Sequence, residues 1–257
     1  MRSHRCLRAL AAFFAFTGFD PRGVAALESR TLHAGDADYR VVTLDLAHDA
    51  LELRWRDADG KPYGSIEALR RADGRTLRFA TNAGIYDREF RPLGLTIADG
   101  EQLRGLNTTR GRSGNFGIQP NGVFYVDREG HAGVVATGDW RARGIDARLA
   151  TQSGPMLVID GALNANFDEG SESRKWRSGV CARTPDSVVF AVSEVPVSFH
   201  QFARVFRDEI GCRDALYLDG TLSQIYTAEG GYAGAPSMMV KPYAGMLAVF
   251  AGAPAGP

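Results

Sequence analysis

Lysine, histidine and cysteine are all scarce in this 257-residue chain, with three, five and three copies respectively. The histidines, His4, His33, His48, His131 and His200, are scattered and form no HExxH or similar spacing, so no zinc-hydrolase signature is present. No cysteine belongs to a CxxC pair, which argues against a structural zinc site. There is no excess of either charge, because Lys plus Arg and Asp plus Glu both number 30. That balance speaks against a dedicated nucleic-acid binder, which carries a basic excess. No GxGxxG links a strand to a helix, so a dinucleotide fold has no support. No apolar run approaches the ~20 residues of a membrane-spanning helix. What remains is the ordinary mix of a soluble globular chain, 44 % apolar and 23 % charged.

The first 26 residues read as an export signal. Arg2, Arg5 and Arg8 form a basic start, LAAFFAFTGF a short apolar run, and Val24-Ala25-Ala26 a small-residue cleavage site. Cleavage is expected after Ala26, with a retained N-terminal anchor as the alternative, and a periplasmic or secreted product. Cys6 leaves with the signal, and Cys181 and Cys212 remain. In an exported protein they permit one disulfide, and two separate buried thiols are the alternative.

Residues 27–257 contain no linker, charge block or repeat, so one domain is expected. Strand patterns fit residues 39–46, 51–56, 76–80, 94–98, 117–118, 122–127, 156–159, 187–193, 215–218 and 246–250. A short helix is expected over 65–71, capped by Ser65 and closed by Gly74. A second is expected over 199–210, where Ser198 and Gln201 form a capping box, Phe199, Phe202, Ala203, Phe206 and Ile210 share one face, and Gly211 follows the end. Many strands with two short helices predict a single-domain α+β fold with mixed or antiparallel sheets.

Four stretches set polar residues beside glycine at predicted strand ends. They are Thr81-Asn82-Ala83-Gly84, Gln152-Ser153-Gly154-Pro155, Arg174-Lys175-Trp176-Arg177-Ser178-Gly179, and Leu218-Asp219-Gly220-Thr221. Glycine lets a ligand approach the backbone closely. Each stretch alone is ordinary turn chemistry; together they suggest one shared site.

TNAGIYDREFRPLGLTI, TQSGPMLVIDG, SRKWRSGV and ALYLDGTLSQIY, in this order, resemble the phosphodiester glycosidase family across residues 76–250. The chain looks closer to a single-domain, periplasmic bacterial subgroup of that family, whose bacterial relatives are linked to exopolysaccharide. It departs from the family at two motifs: LDGTLSQ stands where LDGGGSS is usual, and NAGIY where NGGFF or NGGYF is usual. The resemblance implies cleavage of the bond between a sugar anomeric carbon and a phosphate oxygen. Such chemistry needs a carboxylate at the anomeric carbon and a cation at the departing phosphate. Asp219 and Arg177 are the expected pair, with Glu194 as reserve carboxylate. Asn82, Gly84, Ser153, Gly154, Gly220 and Arg110 are expected to contact substrate, and Asn115, Tyr86 and Trp176 are weaker neighbours. Asp219, Glu194 and Asn82 could offer oxygen ligands to Ca²⁺ or Mg²⁺, but no DxDxDG loop is present and a metal-free site is expected. The expected partner is a sugar phosphodiester or polysaccharide, with no nucleic acid and no stable membrane span. A non-catalytic glycan-binding envelope protein is the alternative, and a phosphodiesterase cutting the other side of phosphorus is a third.

Overall fold

The computed structural model describes residues 27–110, 114–220, 223–239 and 242–252. The signal-like residues 1–26, the terminal 253–257, and Thr221 and Leu222 of the LDGTLSQ motif lie outside the described residues. The first strands are β1 (Glu28–Ala34), β2 (Ala37–Asp45), β3 (Leu51–Arg54), β4 (Leu77–Asn82), β5 (Thr96–Ala98), β6 (Glu101–Arg104), β7 (Gly122–Asp127), β8 (Ala132–Ala136) and β9 (Ala147–Ser153). Then come β10 (Met156–Ile159), β11 (Ala162–Leu163), β12 (Ser178–Thr184), β13 (Ser187–Ser193), β14 (Ala215–Asp219), β15 (Gln224–Thr227), β16 (Gly231–Gly234) and β17 (Met246–Phe250). Among the described residues three α-helices join them: α1 (Ile66–Asp73), α2 (Trp140–Arg143) and α3 (Phe199–Arg204).

The strands form three antiparallel sheets, in the orders β1-β2-β13-β12-β14-β10-β11, β16-β15-β4-β17-β3 and β6-β5-β9-β7-β8. The expected sheet-rich α+β class is the observed one. In the large sheet, successive side chains face opposite sides, and both sides are buried. Val42, Val180, Phe190 and Leu216 point to the interior shared with Phe79 and Leu247 of the second sheet and Phe124 and Leu149 of the third. Their neighbours Val41, Cys181, Val189 and Tyr217 point the other way, onto Phe202 and Phe206. Burying those two rings stabilises the helix–sheet contact by roughly 2–3 kcal/mol each.

The helix predicted over 199–210 starts as expected. Ser198 Oγ accepts from Gln201 N at 3.1 Å and Gln201 Oε1 accepts from Ser198 N at 3.1 Å, completing the capping box. It does not continue as one α-helix. After Arg204 the turn widens to π spacing over Val205–Glu209, with Ile210 N donating to Val205 O at 3.0 Å. Gly211 then takes φ +79° and Cys212 is bonded to Cys181 of β12. The strand expected over 117–118 is instead a 3-10 turn, Asn115–Gly117, with Phe116 packed inside. Gln152 and Ser153 are not a turn before a strand but the end of β9.

Candidate active site

All three sheets present strand ends to one region. Asp219 ends β14 and pairs with Ser178 at the start of β12, and Ser178 also pairs with Val192 near the end of β13. Asn82 ends β4, and Ser153 ends β9. The pairing is held from below by Ser153, whose fully buried Oγ donates to Leu218 O at 2.9 Å.

Asp219 is set by a tight local turn. Gly220 N donates to its Oδ1 at 2.6 Å, and no ion-pair partner reaches the carboxylate among the described residues. Burial pushes its pKa up to about 6, and the Gly220 N–H only partly offsets this. A Cβ at position 220 would lie 2.7 Å from the Tyr217 hydroxyl, so glycine is what lets the chain turn there against the phenol. Burial and the nearby Asp219 charge both raise the Tyr217 pKa, and Asn115 Nδ2 donates to the Tyr217 hydroxyl at 3.1 Å.

Behind the turn runs a buried polar chain. Asn82 Nδ2 donates to Ser178 Oγ at 2.9 Å, and Ser178 Oγ lies 3.1 Å from Asn82 Oδ1. Ser223 Oγ stands 3.0 Å from Ser178 Oγ and donates to the Asp219 carbonyl at 2.8 Å. Asn82, Ser178 and Ser223 are each at most 1 % exposed. Asn82 therefore reaches the site through the backbone of Asp219 and not by direct reach into solvent.

Among the described residues, Arg177 is a buried cation without a carboxylate. Its Nε donates to Val197 O at 2.8 Å and its Nη2 to Ser173 O at 3.0 Å. Its guanidinium carbon lies 3.6 Å from the Phe199 ring centroid and 5.7 Å from that of Tyr217. Nη1 has no hydrogen-bond partner among the described residues. Burial lowers the Arg177 pKa, with Tyr217 opposing. Arg177, at 1 % exposure, thus offers an anion its field and not the two-nitrogen fork that a solvated arginine would present.

The remaining expected residues are placed differently. Glu194 faces Arg40, with Oε1 3.6 Å from Nη2, and its carbonyl accepts from Trp176 Nε1 at 3.3 Å. Gly84 N donates to Thr151 Oγ1 at 3.1 Å, which seats it against β9. Gly154 precedes Pro155, and a Cβ there would land on Asn121 Oδ1. Ser153, fully buried, and Gly154, closed in by Asn121, are thus packed tightly against their neighbours. Arg110 is exposed, with no ion pair to the other candidates among the described residues. Ser178, Ser223 and Tyr217 are the members that sequence reasoning passed over, although all three lie inside or beside the quoted motifs. Among the described residues, no group of three His, Cys, Asp or Glu converges to hold a metal ion.

The phosphodiester glycosidase family model matches residues 75–250, which includes every strand end named above. The chain belongs to the phosphodiester glycosidase family. This family member is 34 % identical over 191 residues to the uncharacterized protein YigE of Escherichia coli K12, covering 73 % of this chain and 74 % of YigE. Its fold is similar to the catalytic domain of zebrafish N-acetylglucosamine-1-phosphodiester alpha-N-acetylglucosaminidase, auto-inhibited by its pro-peptide. That match has a TM-score of 0.58 at 17 % identity, covering 88 % of this chain and 83 % of that one. A hypothetical protein from Synechocystis shares the fold at TM-score 0.56 and 13 % identity, over 86 % of this chain and 61 % of that one.

Proposed function

We propose that this phosphodiester glycosidase is an exported hydrolase that cleaves the C1–O bond of a sugar-1-phosphodiester in an envelope or exopolysaccharide glycan. The observation that carries the reading is Asp219. It is a carboxylate with no cation beside it among the described residues, fixed at a strand end by the Gly220 N–H and by the Ser223 bond to its carbonyl. In the proposed reaction the C1–O bond breaks and the phosphomonoester leaves with the electron pair. A water oxygen then bonds C1, and its proton passes to Asp219 and on to solvent. The ionised form of Asp219 both accepts that proton and offsets the positive charge gathering on the sugar ring. The leaving phosphate needs little protonation, so a fixed cation serves it better than an acid. Arg177, buried with Nη1 unpartnered, is our choice for that role.

The disulfide between Cys181 and Cys212 supports an oxidising compartment, and the periplasm is the location we propose. No helix among the described residues is long and apolar enough to cross a membrane.

The test is incubation with a panel of chromogenic sugar-1-phosphodiesters, with the products separated. Free reducing sugar plus a phosphomonoester is the expected result. Sugar 1-phosphate would place the cut on the other side of phosphorus. No turnover of any panel member would favour a glycan-binding protein.

A further inference from the structure

A cavity of about 360 Å³ opens beside the candidate site between the start of α1 and the β15–β16 hairpin. Its size falls in the range of small-molecule sites. Ser65 and Glu67 form one wall, Gln224 and Tyr243 the floor, and Tyr232 and Ser237 the other side. Gln224 adjoins Ser223, whose Oγ bonds the Asp219 carbonyl, so the cavity floor and the proposed reaction centre are carried by consecutive residues. The Tyr243 phenol, raised mainly by burial, also feels the Asp219 charge.

The lining chemistry is that of a polyol site. Gln224 Oε1 accepts from the Tyr243 hydroxyl at 3.1 Å, and Gln224 Nε2 donates to Ala235 O at 2.7 Å and Ser237 Oγ at 3.3 Å. That fixes the amide while leaving a lone pair on Oε1 and the Ser237 proton for a ligand hydroxyl. Among the described residues no lysine or arginine lines the cavity, and the Glu67 carboxylate is held by Arg70 at 2.9 Å. Tyr232 is 43 % exposed, one of three large apolar side chains left so open among the described residues. Its ring is backed by Tyr226, with centroids 5.1 Å apart. A rigid, half-exposed aromatic face beside hydroxyl and amide groups suits the apolar face of a pyranose ring.

We propose that this cavity is a saccharide subsite, which holds a further neutral sugar of the substrate stacked on Tyr232 while Asp219 serves the bond being cut. The proposal rests on the hydrolase reading and extends it, making the substrate an oligomeric or polymeric glycan and not a small diester.

The experiment is calorimetric titration of the full protein with neutral tetrasaccharides of glucose, galactose, mannose and N-acetylglucosamine, each without phosphate. At least one should bind with Kd below about 10 mM. Tyr232→Ala should weaken it by about tenfold or more, while Tyr232→Phe, which keeps the ring, should bind nearly as the parent does. Ser237→Trp, which blocks the mouth from an exposed position, should abolish binding and covers the case in which Tyr232→Ala is unstable. Inorganic phosphate should not compete. Failure of all four saccharides to bind, or binding indifferent to both substitutions, overturns the subsite. Tyr232-dependent binding without phosphodiester turnover would keep the subsite and remove the hydrolase. Turnover without saccharide binding would do the reverse.

Discussion

Asp219 holds its charge at a cost. Its carboxyl has a pKa near 3.8 when solvated and about 6 in the fold. The folded state therefore keeps a proton that the unfolded state gives up between about pH 4 and 6, so stability falls as pH rises through that window. Below about pH 4 both states are neutral and the cost disappears. A full two-unit shift corresponds to ~3 kcal/mol, and partial exposure reduces it to on the order of 2 kcal/mol. Asp219→Asn should accordingly melt higher than the parent at pH 7 and equally at pH 4, while losing turnover on every substrate whatever its leaving group. In the parent, kcat/KM should rise with pH to a plateau above about pH 6. Retained activity in the variant would move the chemistry to another carboxylate. At this scale the sequence shows the charged residues better than their supports. Asp219 and Arg177 stand out because a carboxylate and a guanidinium beside glycine suggest chemistry. Ser178 and Ser223 do not, because serine near glycine is also the commonest turn chemistry. The Asn82–Ser178–Ser223 chain forms only when β4, β12 and the turn after β14 meet.

At the scale of elements, legibility follows how local the cause is. The strands over 122–127, 156–159, 187–193 and 246–250 occur with those bounds, because each has an apolar run bounded by turn residues. β9 and β12 are absent from the expected strands. Both are buried on two sides, so they lack the alternation that marks a half-exposed strand. The start of α3 was legible because capping is a contact between residues three apart, whereas the π turn after Arg204 was not. That turn carries Cys212 to Cys181, a partner 31 residues away. The cap itself has a measurable consequence. Ser198 is 1 % exposed and its Oγ bond to Gln201 N is the first fixed point of the helix. Ser198→Ala should cost about 1 kcal/mol in denaturant unfolding, and Ser198→Asp, which can cap the same N–H, should recover part of it. An unchanged midpoint in Ser198→Ala would mean that Phe202 and Phe206 alone seat the helix.

Across the whole molecule, the α+β class follows from strand count and the lack of regular βαβ alternation, but the three-sheet order does not. β2 pairs with β13 and β4 with β17, and such distant partners leave no mark in a local pattern. The disulfide belongs to the same long-range class. It ties β12, at the middle of the large sheet, to the chain leaving the π turn, and it closes a segment containing β13 and α3. Closing a loop of 31 residues removes conformational freedom mainly from the unfolded chain, with a stabilisation of about 2–4 kcal/mol. Both cysteines are buried, at 0 % and 3 % exposure, so the folded protein should resist reductant until it opens. The Cys181→Ser, Cys212→Ser double variant should unfold at a lower denaturant concentration by an amount matching that range. Because the reference is the unfolded chain, the denaturant dependence of its unfolding should also steepen, as the uncrosslinked chain exposes more surface. The parent, unfolded under reducing conditions, should follow the double variant. Peptide mapping without reductant should recover Cys181 and Cys212 in one linked fragment. Two free thiols in exported protein would remove the crosslink and leave the α3–sheet contact to packing alone.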